Sequence, residues 1–318
     1  MQKRALGKTG LYVSEIAFGG VEIGIPYGIG VKSKEDMLSE PEAIDLLHSA
    51  IDAGINFFDT ARMYGESERI MGEAFKERRD EVVICTKCRH FIDSEGNMPE
   101  GPELEKIIES SLKESMETLQ TDYIDVFMLH QAPLKVLENE KIADIFLKLK
   151  QSGKIRATGV STYKSDETEK AIETGVWNVI QLPYNMMDQR HSEFFESAFR
   201  QGIGLVVRSV LLKGLLSDRG KDLHPALKDV EEHIKAYTKM LAGKDYNLSA
   251  LATKFALSSP EISSVLVGID RREYLEQSLR TADGRYLDQR LLKEAKELAY
   301  PDPDFLNLPH WDRMNWLK

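Results

Sequence analysis

Eight short runs of mainly apolar and β-branched residues recur along the chain, and amphipathic segments of helical length separate most of them. The runs cover residues 14–20, 56–61, 82–87, 124–130, 155–161, 179–185, 204–210 and 263–269. Between two of them, six apolar residues stand at helical spacing: Leu104, Ile107, Ile108, Leu112, Met116 and Leu119. Such alternation predicts parallel strands joined by crossover helices. Because the eight units follow one another without a linker, the pattern favours one α/β domain over residues 1–318, a closed (β/α)₈ or TIM barrel, rather than an open doubly wound sheet.

Two segments lie outside the eight units. Residues 3–13 hold the turn Gly7-Lys8-Thr9-Gly10 between short extended stretches, which predicts an N-terminal β-hairpin that plugs the bottom of the barrel. Residues 300–318 form a proline-punctuated C-terminal tail that is not expected to add a ninth unit. The long loops at 21–40 and 89–102 follow the first and third runs, so they should rise from the active-site face and, with the tail, carry substrate specificity.

Polar side chains end five successive runs. These strand ends carry Asp59 and Thr60, Lys87, His130, Ser161 and Gln181. The carboxyl ends of barrel strands form one rim, so these side chains are expected to converge there. The alternative is that each is an ordinary loop residue at the end of its strand.

The charge balance and the cysteines limit the function classes. With 42 basic and 52 acidic residues the formal net charge is −10, which disfavours binding to nucleic acid or to an anionic membrane surface. No apolar run has membrane-spanning length, and the N-terminus lacks the apolar core of a secretory signal. Cys85 and Cys88 sit on a predicted strand about 10 Å apart, too far for a disulfide, and no second ligand pair is spaced for zinc. We therefore expect reduced thiols, no metal and a cytoplasmic location.

Residues 56–68 resemble the characteristic segment of the aldo-keto reductase family. In that family a strand ends in Asp-Thr-Ala, here Asp59-Thr60-Ala61, and a Tyr-Gly pair, here Tyr64-Gly65, begins five residues after the Asp. Further blocks agree in order and spacing at residues 85–87, 128–130 and 153–161. The resemblance extends from about residue 5 to about residue 279. It implies an enzyme that reduces an aldehyde, ketone or sugar carbonyl to an alcohol, or the reverse, with NADP(H).

By the same resemblance, Asp59, Tyr64, Lys87 and His130 correspond to the family's catalytic tetrad. The chemistry explains the grouping. Carbonyl reduction needs a hydride from the nicotinamide and a proton for the developing alkoxide. Tyrosine is a poor acid–base at neutral pH, a nearby ammonium such as Lys87 lowers its pKa, and Asp59 supplies the counter-charge. His130 can then hydrogen-bond the carbonyl oxygen.

The cofactor residues match the family less evenly. The resemblance implies that the cofactor is bound by Ser161, Gln181, Arg208, Ser209, Leu211, Lys213, Gly214, Gly268, Arg271, Arg272 and Gln277. Thr162 replaces the usual Asn, and Arg208 takes the place of the tyrosine that stacks on the nicotinamide. Arg271 or Arg272 is expected to meet the 2′-phosphate of NADP(H), whereas the carboxylate of Asp270 would oppose it, so NAD(H) is the alternative cofactor.

Seven large apolar residues of the tail should pack on something, and family tails line the substrate pocket. We therefore expect Trp311 or Trp316 to contact the substrate, a small-molecule carbonyl or alcohol. The alternatives are that the tail staples the outer helices or lies in a dimer interface.

A second function class is a cofactor-binding regulatory subunit similar to the beta subunits of potassium channels, which share the barrel and can retain the tetrad. Substrate identity, reaction direction and oligomeric state stay open.

Overall fold

A computed structural model describes residues 1–31 and 33–317. Strands β1 (Lys3–Ala5) and β2 (Tyr12–Ser14) form an antiparallel pair. The barrel strands are β3 (Ile16–Gly19), β4 (Phe57–Asp59), β5 (Val83–Lys87), β6 (Ile124–Leu129), β7 (Ile155–Ser161), β8 (Val179–Pro183), β9 (Gly204–Arg208) and β10 (Ile262–Gly268). They close in the order β10-β3-β4-β5-β6-β7-β8-β9, and every neighbouring pair is parallel. The predicted TIM barrel is confirmed, with each strand lying within or close to its predicted run.

Helices surround the barrel and connect its strands. They are α1 (Val21–Gly24), α2 (Glu40–Asp52), α3 (Ser67–Phe75), α4 (Gly101–Thr118), α5 (Leu134–Leu137), α6 (Glu140–Gln151), α7 (Ser165–Glu173), α8 (Phe195–Gln201), α9 (Lys228–Met240), α10 (Leu248–Leu257), α11 (Arg272–Thr281), α12 (Gln289–Glu297) and α13 (Leu308–Arg313). Capping residues in the sequence determine where several of these helices begin. Ser39 and Glu42 form a capping box before α2, and Asn139 and Asn247 cap α6 and α10.

The N-terminal end of the barrel is closed by the predicted hairpin. Leu6, Leu11 and Val13 are buried in one apolar cluster with side chains from inside the barrel, among them Phe57 and Met128. Gly7, at φ +56°, turns the chain so closely against the backbone at Gly202 and Gly204 that a Cβ atom would overlap it. Burial of apolar side chains therefore holds this end shut.

A larger apolar cluster lies between the strands and the outer helices. Aromatic pairs such as Phe58–Phe75, with ring centres 4.7 Å apart, and Phe127–Phe146, at 5.4 Å, join strands to helices. Cys85 and Cys88 are buried and free. None of the helices in the described part of the chain has the length and apolar character needed to cross a bilayer.

Candidate active site

The carboxyl ends of the barrel strands surround a cavity of about 830 Å³. Its wall includes a residue at the end of a strand or within two residues of that end for seven of the eight barrel strands: Gly19, Asp59, His130, Ser161, Gln181, Arg208 and Gly268. The volume is within the range of small-molecule and cofactor sites. The convergence expected for the polar strand ends is thus present, and the parallel register of the barrel causes it.

Asp59 and Lys87 form a buried ion pair at the base of this cavity. The Lys87 Nζ atom donates to both carboxylate oxygens of Asp59, at 2.7 and 2.6 Å, and to the Thr60 carbonyl at 3.0 Å. Burial alone would lower the pKa of Lys87, but the Asp59 carboxylate outweighs it and the pKa lies above its ordinary value. Lys87 is therefore a fixed cation. Gln181 also donates to Asp59, at 2.8 Å.

Tyr64 lies on the loop that follows β4, facing Lys87 and His130. The Lys87 Nζ atom is 5.0 Å from the centre of the Tyr64 ring, and the His130 ring meets it edge-on with centres 5.4 Å apart. Burial raises the pKa of Tyr64 to about 12, although Lys87 acts to lower it. The Lys87 ammonium does act to lower the pKa of Tyr64, as expected, but the opposite effect of burial is larger. Tyr64 therefore keeps its proton at neutral pH in this structure.

His130 is held as a neutral imidazole. Burial, followed by the positive charge of Lys87 and the neighbouring His90 and Arg208, lowers the pKa of His130 to about 2. The rings of His90 and His130 are 4.8 Å apart. The buried Nδ1 atom of His130 has no hydrogen-bond partner among the described residues. A neutral imidazole at this place can donate one hydrogen bond to a ligand without adding charge.

The end of β9 contacts the segment that follows β7. Ser161 is buried and lines the cavity, whereas the Thr162 hydroxyl is bound to Thr168 at 2.7 Å and is not part of the wall. Arg208 donates to the Thr162 carbonyl at 2.8 Å and lies over the Tyr163 ring at 4.1 Å. Its buried Nε atom is without a partner in the described part of the chain. Arg208 thus presents a flat cation to the cavity.

The loop after β9 has a strained backbone. Ser209, Leu212 and Lys213 have φ values of 59°, 46° and 58°, and Gly214 has 103°. Non-glycine residues in this region carry a conformational cost and cluster at functional sites. Together with Leu211, all of them line the cavity. Lys213 is also ion-paired with Asp312 of the tail.

The segment after β10 separates the two candidate arginines. Gly268 and Gln277 line the cavity, and Arg271 lies over the Tyr274 ring at 5.2 Å and lines an adjoining pocket. Arg272 instead pairs with Asp45 of α2 at 2.7 Å, both side chains being exposed. Of the two arginines expected to meet the cofactor, Arg271 is thus the one beside the cavity, and its contact with the 2′-phosphate stays a prediction. Arg272 begins α11, which turns its side chain toward α2 on the outer surface.

The family model for the Aldo/keto reductase family matches residues 15–299 of this chain. The chain belongs to that family. It is 29% identical to L-galactose dehydrogenase from Arabidopsis thaliana, over 95% of each sequence. It is 27% identical to a probable voltage-gated potassium channel subunit beta from the same plant, over 89% of this chain and 92% of that one. Among solved structures, the holo form of the aldo-keto reductase AKR11C1 from Bacillus halodurans superimposes with a TM-score of 0.79 at 26% identity, covering 94% of this chain and 96% of that one.

As an aldo/keto reductase the chain is an oxidoreductase, and the family generally binds NAD(P)H. The cavity fits such a group on two grounds. Three polar atoms on its wall, Glu22 Oε2, His130 Nδ1 and Arg208 Nε, are buried and have no hydrogen-bond partner among the described residues. A strained loop with a cation at Lys213 lines the same space, as expected for a site that receives an anionic ligand. In the described chain, no group of three or more His, Cys, Asp or Glu side chains is placed to hold a metal ion.

Residues of the tail line the cavity, but they are not Trp311 and Trp316, the two that were expected there. Its contribution to the wall is Pro303, Asp304, Leu306, Asn307, Leu308 and Pro309. Trp311 is fully buried against Phe305, with ring centres 5.4 Å apart, and Trp316 stacks on His224 at 5.9 Å. Neither tryptophan is part of the cavity wall, because α13 turns Trp311 into the apolar core of the tail. We expected the tryptophans, the largest side chains of the tail, to line the cavity. The residues that do so belong to the 3-10 turn Pro303–Phe305, to the two residues after it and to the first turn of α13.

Glu22, Tyr27 and Asp270 also line the cavity, and the sequence pattern singled out none of the three as a ligand-binding residue. Glu22 lies in the short helix α1 and Tyr27 just after it, within the long connection between β3 and α2, where spacing carries little information. The one usable signal was the pair Gly19-Gly20, which ends two residues before Glu22, since adjacent glycines at a strand end indicate a close approach of other groups.

Proposed function

We propose that this aldo/keto reductase reduces an aldehyde, ketone or sugar carbonyl to an alcohol, or catalyses the reverse reaction, with NADP(H) as cofactor and Tyr64 as general acid/base. The observation that carries the proposal is the arrangement of three groups. A cation fixed by Asp59 faces the Tyr64 ring at 5.0 Å, and a neutral imidazole, His130, stands beside the same ring. Asp59, Tyr64 and His130 line one cavity.

Each member has a chemical task. Tyr64 holds its proton at neutral pH and can pass it to the developing alkoxide, and the Lys87 ammonium stabilises the phenolate that remains. Asp59 keeps Lys87 charged and in place. Neutral His130 can donate a hydrogen bond to the carbonyl oxygen and so orient it. In the reverse direction Tyr64 must first lose its proton, which becomes easier as the pH rises.

The bound cofactor would supply or accept the hydride. Ser161 and Gln181 are the residues proposed to bind its carboxamide, and Arg208 offers a flat face for the nicotinamide ring. Ser209, Leu211, Lys213 and Gly214 form the loop proposed for the diphosphate. Gly268, Arg271 and Gln277 are proposed for the adenosine end, with Arg271 meeting the 2′-phosphate.

The substrate is proposed to be a small polar carbonyl compound or alcohol. Asp188 and Arg190, joined at 2.9 Å, and the tail residue Asn307 place hydrogen-bonding groups on the wall. One relative is named for L-galactose, and sugars present the hydroxyl groups that such a wall can bind.

The test is a screen of purified protein by nicotinamide absorbance, with both cofactors, against panels of sugars, polyols, aldehydes and ketones. We expect turnover with at least one panel and tighter binding of NADPH than of NADH. Cofactor binding without turnover on any panel would contradict the catalytic proposal and favour a regulatory cofactor-binding subunit instead.

A further inference from the structure

Glu22 occupies a place that two glycines keep open. Gly19 at the end of β3 is the register partner of Gly268 at the end of β10. The Glu22 carboxyl lies over both residues. A Cβ atom on Gly268 would overlap Glu22 Oε1, and one on Gly19 would be 3.7 Å from Oε2. The carboxyl is therefore seated at the seam between two adjacent strands, on the wall of the cavity.

The surroundings of this carboxyl favour its protonated form. The charged and titratable groups that act on it are Asp59 after β4, Asp270 after β10 and Tyr27 on its own loop. Of the cations on the cavity wall or beside it, Lys87 is paired with Asp59 and Lys213 with Asp312, whereas Arg208 lies over the Tyr163 ring. The charges that act on the pKa of Glu22 are the two carboxylates, Asp270 and Asp59. Burial raises the pKa of Glu22 to about 8. Asp270 and Asp59 add to this effect, and a hydrogen bond from the backbone of Glu22 opposes it.

The position of Glu22 in the cavity also determines which part of a bound dinucleotide would lie beside its carboxyl group. Glu22 follows β3, which stands between β4, the strand that ends in Asp59 at the catalytic end of the cavity, and β10, the strand before Asp270 and the segment proposed for the adenosine end. A cofactor with its nicotinamide beside Tyr64 must therefore lead its ribose and diphosphate past the Glu22 carboxyl. An ionised carboxylate would repel the phosphates, whereas a carboxylic acid offers an O–H donor.

We propose that Glu22 is a cofactor-binding residue that acts in its protonated form, donating a hydrogen bond to an oxygen of the ribose–diphosphate part of the nicotinamide dinucleotide. The proposal rests on the proposed function, because it needs the dinucleotide in this cavity. It gives the unpartnered Oε2 atom a partner and explains why a glycine stands at position 268.

A specific pH dependence of binding follows. Below about pH 8 Glu22 carries its proton, and the affinity for the cofactor is at its maximum. Above that pH it ionises, so binding must first recover a proton and the dissociation constant rises by about tenfold per pH unit. In this range each cofactor molecule bound takes up close to one proton.

The experiment is a fluorescence titration with NADPH from pH 6.5 to 9.5, with the proton uptake at pH 8.5 measured by calorimetry in two buffers of different ionisation enthalpy. Wild type should show the rise in dissociation constant and the proton uptake. Glu22→Gln keeps a neutral donor, so its affinity should stay level across the range with no proton taken up. Glu35→Gln, an exposed change on the same loop, is the matched control and should behave as wild type.

A wild-type dissociation constant that is level to pH 9.5, or a Glu22→Gln variant that keeps the wild-type dependence, would overturn the inference while leaving the proposed function intact. Absence of NADPH binding at every pH would contradict the proposed function, and this inference with it. Asp270→Asn is a second variant in case Glu22→Gln does not fold. It removes a charge that raises the pKa of Glu22, so the rise in dissociation constant should begin at lower pH, and an unmoved onset would overturn the inference.

Discussion

The two ends of the barrel are built from the same eight strands but differ in what fills them. At the N-terminal end, Leu6, Leu11 and Val13 are packed into an apolar cluster by the hairpin. At the carboxyl end the wall carries polar and charged side chains among apolar ones, and parts of the backbone are strained. Glu22, His130 and Arg208 there keep buried atoms without partners among the described residues. One end contributes stability and the other keeps unsatisfied groups available for ligands. Substitutions at the two ends should therefore have separable effects.

The largest effect is expected at the carboxyl end, for Lys87→Met. The substitution removes the cation beside Tyr64 and leaves Asp59 as an uncompensated buried charge. Turnover should fall by about 10³-fold or more, and the free energy of unfolding by about 3–5 kcal/mol. Steady-state kinetics across pH and urea denaturation measure the two losses.

The double variant Asp59→Asn/Lys87→Met is the control for this prediction. It removes both charges, so much of the lost stability should return while turnover stays low. A Lys87→Met enzyme with a wild-type pH profile would contradict the coupling between Lys87 and Tyr64.

At the opposite end, Leu6→Ala should reduce stability alone. Leu6 is fully buried inside the barrel, so its truncation should cost about 2–5 kcal/mol. Turnover per folded molecule should not change. Tyr12→Ala on the same hairpin is the matched control, because that side chain is 64% exposed and its loss should cost less than about 0.5 kcal/mol. Equal unfolding curves for the two variants, or lost turnover in folded Leu6→Ala, would remove the distinction between the ends.

The smallest effect is expected for Arg271→Ala, which tests which arginine beside the carboxyl end binds the cofactor. Arg271 lines a pocket beside the cavity, whereas its neighbour Arg272 is paired with Asp45 on the surface. Arg271→Ala should weaken NADPH binding by about tenfold and reduce the preference over NADH, since a charged hydrogen bond to phosphate is lost. Arg272→Ala should change affinity less than about twofold. Equilibrium fluorescence titration decides this, and the reverse ranking would show that the 2′-phosphate lies elsewhere.

The strands, the hairpin and the positions of Asp59, Lys87 and His130 could be predicted from the sequence, because burial and register follow from short-range patterns. The role of Glu22 could not, since it depends on two glycines that are distant in sequence, Gly19 and Gly268, and meet only when the barrel closes. Nor could the sequence show which residues of the tail line the cavity, because this depends on how α13 packs against the rest of the protein. Spacing alone also could not show that burial outweighs Lys87 in setting the pKa of Tyr64.

The central claim is that Tyr64 delivers the proton, and Tyr64→Phe tests it most directly. The substitution removes one hydroxyl and keeps the ring that His130 meets. With a carbonyl substrate found in the screen, turnover should fall by about 10²-fold or more, while the NADPH dissociation constant stays within about twofold of wild type. Near-normal turnover in a folded Tyr64→Phe enzyme that binds the cofactor would contradict the claim.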